Sequence, residues 1–140
     1  MSCDLSVFLK HSALPTSKEW VRAIQAQGFD FVFKHEFELF SHTGFLPCQF
    51  RGALAGFEFS CCPLGPGEKR DYDIPDQFDT HTSFITGANM REFATSLIAA
   101  GVLCQMSGGT LFDPQAGEWY APGSVLEMVR EQLAAIENEI

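Results

Sequence analysis

The chain has almost no positive charge in its second half. Residues 71–140 carry two basic side chains, Arg91 and Arg130, against eleven Asp and Glu. Residues 1–70 carry seven of each sign, so the whole net charge of −9 falls beyond residue 70. Phosphate recognition needs clustered Lys and Arg, so no nucleic-acid ligand is expected. A basic protein partner suits the imbalance better. Long apolar runs are missing too: none reaches the ~18 residues of a membrane span, and the longest, Leu97 to Met106, reads as helix interior. The opening MSCDLSVFLKHS has no basic stretch leading into an apolar one, so neither a signal peptide nor membrane association is expected, and the location expected is cytoplasmic.

Cysteine is present without a pattern. Cys3, Cys48, Cys61, Cys62 and Cys104 are an odd number with no CxxC spacing, which excludes a disulfide framework and a zinc site as expectations. Free thiols in a reducing compartment are the reading that remains. The chain also lacks GxSxG, Walker A, GxGxxG and HExxH patterns, so no metal and no cofactor is expected. Trp and Tyr are scarce, two of each, whereas Phe occurs fourteen times. Phe has no polar handle, so most of these rings belong in a core.

What is there is an ordinary folding sequence. A length of 140 residues with 46% hydrophobic residues fits a single domain, residues 1–140, with a core of its own. Leu5, Val7 and Leu9 alternate as in a strand. Thr16 and Glu19 form a capping-box pattern before a helix over 17–27 that Gly28 ends. Phe29, Phe31 and Phe33 alternate again. Residues 34–54 are ambiguous, and 49–62 read as two strands, 49–54 and 55–62, or as one bent strand kinked near Gly52 or Gly56. In the adjacent pair Cys61 and Cys62, one thiol should face inward and one outward.

Residues 64–77 read as a long solvated loop, a length usually reserved for function. A strand over 78–86 follows, then a helix over 90–107 introduced by Asn89 and Glu92 and apolar nearly all round, as a central helix must be. The pieces 110–112 and 118–120 form a hairpin. Ser124 and Glu127 repeat the capping-box pattern before a final amphipathic helix. Strands segregate from helices, so the fold class expected is α+β: a mainly antiparallel sheet in a single layer with about three helices packed on it.

Chemistry is sparse. Glu58, flanked by Phe57 and Phe59, sits on the solvent face of a half-buried strand in the plainer reading. In the sharper one it is a pocket carboxylate with a raised pKa, acting as general acid/base with His81 or Asp113 as partner. His81 lies on one face of a strand, where a satisfied or surface imidazole is the commoner role. The acidic stretch with Asp71, Asp73 and Asp76, together with Glu118, Trp119 and Tyr120, is either solvated surface or a docking surface for a cationic partner.

Three pieces carry a resemblance: Gly44-Phe-Leu-Pro47, Gly56-Phe-Glu58, and the run Gly108-Gly-Thr-Leu-Phe-Asp-Pro-Gln-Ala-Gly117 after a small-residue helix. Together they resemble small bacterial proteins encoded beside polymorphic or contact-delivered toxins, where acidic α+β domains serve as immunity proteins. The resemblance implies stoichiometric neutralisation of a toxin, with a basic toxin domain as the partner. The expectation is therefore a non-catalytic binding protein. A small enzyme built on Glu58 and a homodimeric scaffold with an exposed apolar patch stand as the alternatives.

Overall fold

The computed structural model describes residues 2–140. Seven strands form one wholly antiparallel sheet: β1 (Cys3–Leu9), β2 (Phe31–Phe33), β3 (Thr43–Phe50), β4 (Ala53–Pro63), β5 (Thr80–Thr86), β6 (Thr110–Asp113) and β7 (Glu118–Tyr120). Their order is β2-β3-β4-β5-β1-β6-β7. Four α-helices accompany it: α1 (Ser17–Ala26), α2 (Pro66–Tyr72), α3 (Met90–Ser107) and α4 (Val125–Ala135). The α+β class and the single-layer sheet stand as expected.

The inner face of the sheet carries the alternating residues Leu5, Val7 and Leu9 of β1, Phe57 and Phe59 of β4, and Phe84 of β5. Helix α3 lies on this face, and Ala94 through Cys104 are all buried. A helix can lose its polar stripe only when it is covered on most sides; here the sheet, α1 and α4 all pack against it. The buried hydroxyls Thr95 and Ser96 donate to the carbonyls of Glu92 and Phe93 at 2.7 and 2.8 Å, so neither is orphaned. Trp20 of α1 lies at the centre of an aromatic cluster with Phe33, Phe59 and Phe84.

Three local readings need correction. The ambiguous 34–54 region holds β3 and a true hairpin to β4, because Arg51 (φ 54°) and Gly52 (φ 77°) both take the positive φ of a two-residue type I′ turn. The chain is therefore reversed at Gly52: the two-strand alternative holds and the kinked strand does not, with the break at 51–52 in place of 54–55. Ser124 makes no capping hydrogen bond: its backbone (φ −120°, ψ −12°) is not extended, and its hydroxyl turns back to the Ala121 carbonyl at 3.4 Å. Thr16 and Asn89 do accept from Glu19 and Glu92, as their patterns require.

The third correction matters most for function. The supposed loop 64–77 contains α2, a fourth helix on the opposite, outer face of the sheet. Pro66 occupies its first turn, Glu68 lies near its N-terminus and Lys69 and Arg70 near its C-terminus, all favourable to the helix dipole. Asp73 closes it in the left-handed conformation at φ 53°. Ile74 then turns back to the sheet and joins Phe8 and Phe78 in a second, smaller core.

Candidate functional site

Outer-face residues of the sheet follow from the strand pleat. Asp4, Ser6 and Phe8 of β1 share this face with His81, Ser83 and Ile85 of β5 and with Thr110 and Phe112 of β6. Helix α2 covers the end nearest Phe8 and His81. The other end, with Phe45, Leu54, Glu58 and Ile85, is open and exposed.

Where α2 meets the β6–β7 hairpin, an aromatic strip forms. Tyr72 and Phe112 have ring centroids 5.8 Å apart, Phe112 and Trp119 4.4 Å, and Trp119 and Phe8 5.8 Å. Tyr72 and Trp119 keep about half their surface exposed, at 46% and 40%. A cleft of about 350 Å³ opens between them, lined by Tyr72, Asp73, Pro75, Thr110 and Trp119. Asp71 and Asp76 are exposed on the same α2 segment. Lys69, the nearest base to them in sequence besides Arg70, donates its ammonium to the Asp76 carbonyl at 3.2 Å.

The residues proposed for docking are thus divided. Asp73 and Trp119 line one cleft, and Asp71 and Asp76 flank it. Tyr120 does not belong there: on β7 it alternates to the inner face, opposite Leu111, and packs on the main core. Its hydroxyl pKa is raised, by burial first and then by the charges of Glu118, Asp113 and Glu131. Glu118 is exposed and pairs across the hairpin with Asp113. Nothing local in the sequence distinguishes Tyr72 from a loop tyrosine, so only the structure brings it to the cleft.

The acid/base trio does not assemble. Glu58 is exposed and its cross-strand neighbours are Phe45 and Ile85, so the desolvated pocket required by the enzyme reading is not there. Asp113 is buried on β6 and accepts from the backbone N–H groups of Gln115 and Ala116, the role of an Asx turn. His81 is engaged elsewhere. Its Nδ1 lies 2.9 Å from Glu68 Oε2, and its Nε2 lies 3.0 Å from Ser6 Oγ and 3.3 Å from Ser83 Oγ. The ring stacks on Phe8 at 4.6 Å. Burial lowers its pKa, and the Glu68 charge and hydrogen bond pull partly the other way.

Among the described residues, no group of three or more His, Cys, Asp or Glu side chains could hold a metal ion, and no helix is long and apolar enough to cross a membrane. All five cysteines are free; Cys61 faces inward and Cys62 outward. Burial pushes the thiols of Cys48, Cys61 and Cys104 up to about 12, which makes them packing residues rather than nucleophiles. No protein-family model, curated protein or solved structure matches the chain.

Proposed function

We propose that the chain works by binding a protein partner through the aromatic, acid-rimmed cleft between α2 and the β6–β7 hairpin. One observation carries the reading: Asp73 and Trp119, far apart in sequence, line the same cleft, with Tyr72 beside them. Half-exposed Tyr and Trp rings beside carboxylates suit an Arg or Lys side chain, which stacks on the rings while its charge meets the acids. The acidic second half extends the favourable field beyond the contact itself and would speed encounter with a basic partner.

The most specific version is an immunity protein that occludes a cognate bacterial toxin, in the cytoplasm of the cell that makes both. Its support is the resemblance drawn from the sequence and the sign of the charge. The test is co-purification with the product of an adjacent gene, followed by titration calorimetry at low and high salt. Tight binding that weakens with salt, loses at least about tenfold with Trp119→Ala and abolishes the partner's toxicity would support it. Binding indifferent to Trp119 and Asp73 would move the contact to another face.

A homodimer is the second reading, favoured by one specific observation. Phe45, Leu54 and Ile85 stand 48%, 67% and 41% exposed on the open half of the outer face. Light scattering at two protein concentrations separates it: a monomer at both removes the dimer.

A further inference from the structure

The strongest unassigned feature is a second cleft on the outer face. It holds about 250 Å³ between β1, β5 and α2, with Asp4, Ser6, His81 and Ser83 among its polar walls and Tyr72 and Phe112 among its apolar ones. Ser6, His81 and Ser83 line it, and Glu68 reaches them from behind through His81. Glu68 comes from the first turn of α2, His81 from the start of the outer face of β5, and Ser6 from the position on β1 directly opposite Ser83.

Their order is that of a carboxylate, an imidazole and a hydroxyl. An ionised Glu68 accepts a hydrogen bond from His81 Nδ1–H, which fixes the tautomer and leaves the Nε2 lone pair for a hydroxyl. Phe8, stacked under the ring, holds its plane. Burial favours the neutral imidazole, the form that can take up a proton. Two hydroxyls compete for that one lone pair. Ser6 is the nearer, at 3.0 Å against 3.3 Å, so Ser83 keeps its O–H for an incoming oxygen.

We propose that Ser6 is a nucleophile toward small activated esters, with His81 as its general base and Glu68 as the positioning residue. In the reaction Ser6 Oγ bonds to the ester carbonyl carbon and gives its proton to His81 Nε2. The bond from that carbon to the leaving oxygen breaks, and the leaving group departs with the proton from His81. Water then adds to the acyl-Ser6 ester with His81 again taking a proton, releasing the carboxylic acid and restoring Ser6.

Substrate class follows from what surrounds the hydroxyl. At Ser6 strand β1 is paired on both sides, so the backbone N–H groups beside its hydroxyl are spent on the ladder and supply no oxyanion hole. Ser83 is left as the donor for the developing oxyanion. A single hydroxyl suits an ester with a good leaving group and not an amide. Tyr72 and Phe112 favour an apolar acyl chain. The Asp4 carboxylate oxygen Oδ1, buried without a hydrogen-bond partner, offers an acceptor at the same cleft. This inference does not depend on the docking function: it uses a different cleft, and the two share the Tyr72 ring.

An alkyl fluorophosphonate tests it directly, because the bond from Ser6 Oγ to phosphorus forms as the P–F bond breaks, fluoride leaves and His81 takes the proton. Intact-mass spectrometry should show one adduct per chain, and peptide mapping should place it on Ser6. Ser6→Ala should abolish it, and His81→Gln should slow it roughly 100-fold, the usual worth of a general base, while thermal melts show both variants folded. The groups facing His81 are Glu68 from α2, Ser6 from β1, Ser83 from β5 and Cys62 from β4, while Asp4 lies further along the cleft opposite Ile85. Of these, the Glu68 carboxylate raises the imidazole pKa, so Glu68→Gln should move the pH midpoint of labelling to lower pH as well as slow it. An unlabelled wild type, an adduct on Ser83 or Tyr72, labelling undiminished in His81→Gln, or a midpoint unmoved in Glu68→Gln would each overturn the assignment.

Discussion

Ser6 and Ser83 stand opposite each other on β1 and β5, and both hydroxyls reach the same nitrogen of His81, at 3.0 and 3.3 Å. On its other side the ring meets Glu68 at 2.9 Å. Every polar atom of a largely buried imidazole therefore has a partner, which is the condition for keeping it under α2. The same contacts tie α2, a helix of seven residues, to the sheet across which it lies.

Because burial depresses the His81 pKa, the unfolded chain binds the proton more readily than the folded one. Stability should then fall as pH drops through the ordinary histidine value of 6.5 and level off below the folded-state pKa. Urea melts at stepped pH check this against His81→Gln, in which the fall over that window should shrink. A wild type equally stable at pH 7.5 and at pH 5.5, on the order of one unit either side of the ordinary value, would contradict it.

Helices α3 and α4 cross at a glycine. A Cβ placed on Gly101 would lie 2.4 Å from Val129 Cγ2, closer than any real contact allows. Gly101→Ala gains about 1 kcal/mol of helix propensity, but overpacking a rigid interface costs roughly 1–3 kcal/mol. We expect the cost to win, with a lower urea midpoint. Val129→Ala should relieve it in the double variant, and a coupling energy of zero in that cycle would show that the two residues do not meet.

Much of the fold was legible because local signals agreed with one another. The α3 span matches its residues because Asn89, eleven buried residues in a row and Gly108 all mark the same helix. The hairpin at Arg51 and Gly52 was harder, since a non-glycine residue at positive φ leaves no compositional mark. Helix α2 was missed for a physical reason: Gly65, Pro66 and Gly67 look like a turn, and the helix owes its place to tertiary contacts of Tyr72 and Ile74 with Phe8. The site followed from that miss. His81 could be placed on a strand face, but its partner Glu68 was hidden in the supposed loop, and Ser6 and Ser83 have no motif around them. Only the β1–β5 register brings those two together.

Thiol chemistry gives an independent check of the inward and outward faces. Cys62 is exposed, its thiol pKa raised by partial burial and then by the Glu68 charge, whereas Cys48, Cys61 and Cys104 are buried with thiols pushed up to about 12. Maleimide at neutral pH should label Cys62 first and the half-buried Cys3 more slowly. The other three should react only on addition of denaturant. Rapid reaction of Cys61 in the native protein would put the β4 register off by one residue.

Trp20 joins the two layers of the main core. Its indole N–H donates to the Ala99 carbonyl of α3 at 3.1 Å, and Trp20 itself is fully buried. Replacing Trp20 with Phe keeps the aromatic contacts to Phe33, Phe59 and Phe84 but removes the donor and leaves a gap the size of the missing ring atoms. The two losses together should cost roughly 1–3 kcal/mol. The urea midpoint should fall while the m-value holds, because the surface exposed on unfolding hardly changes. Trp20→Leu, which also gives up the ring stacking, should fall further than Trp20→Phe. An equal loss in both would mean that the hydrogen bond to Ala99, and not the aromatic cluster, accounts for the contribution of Trp20.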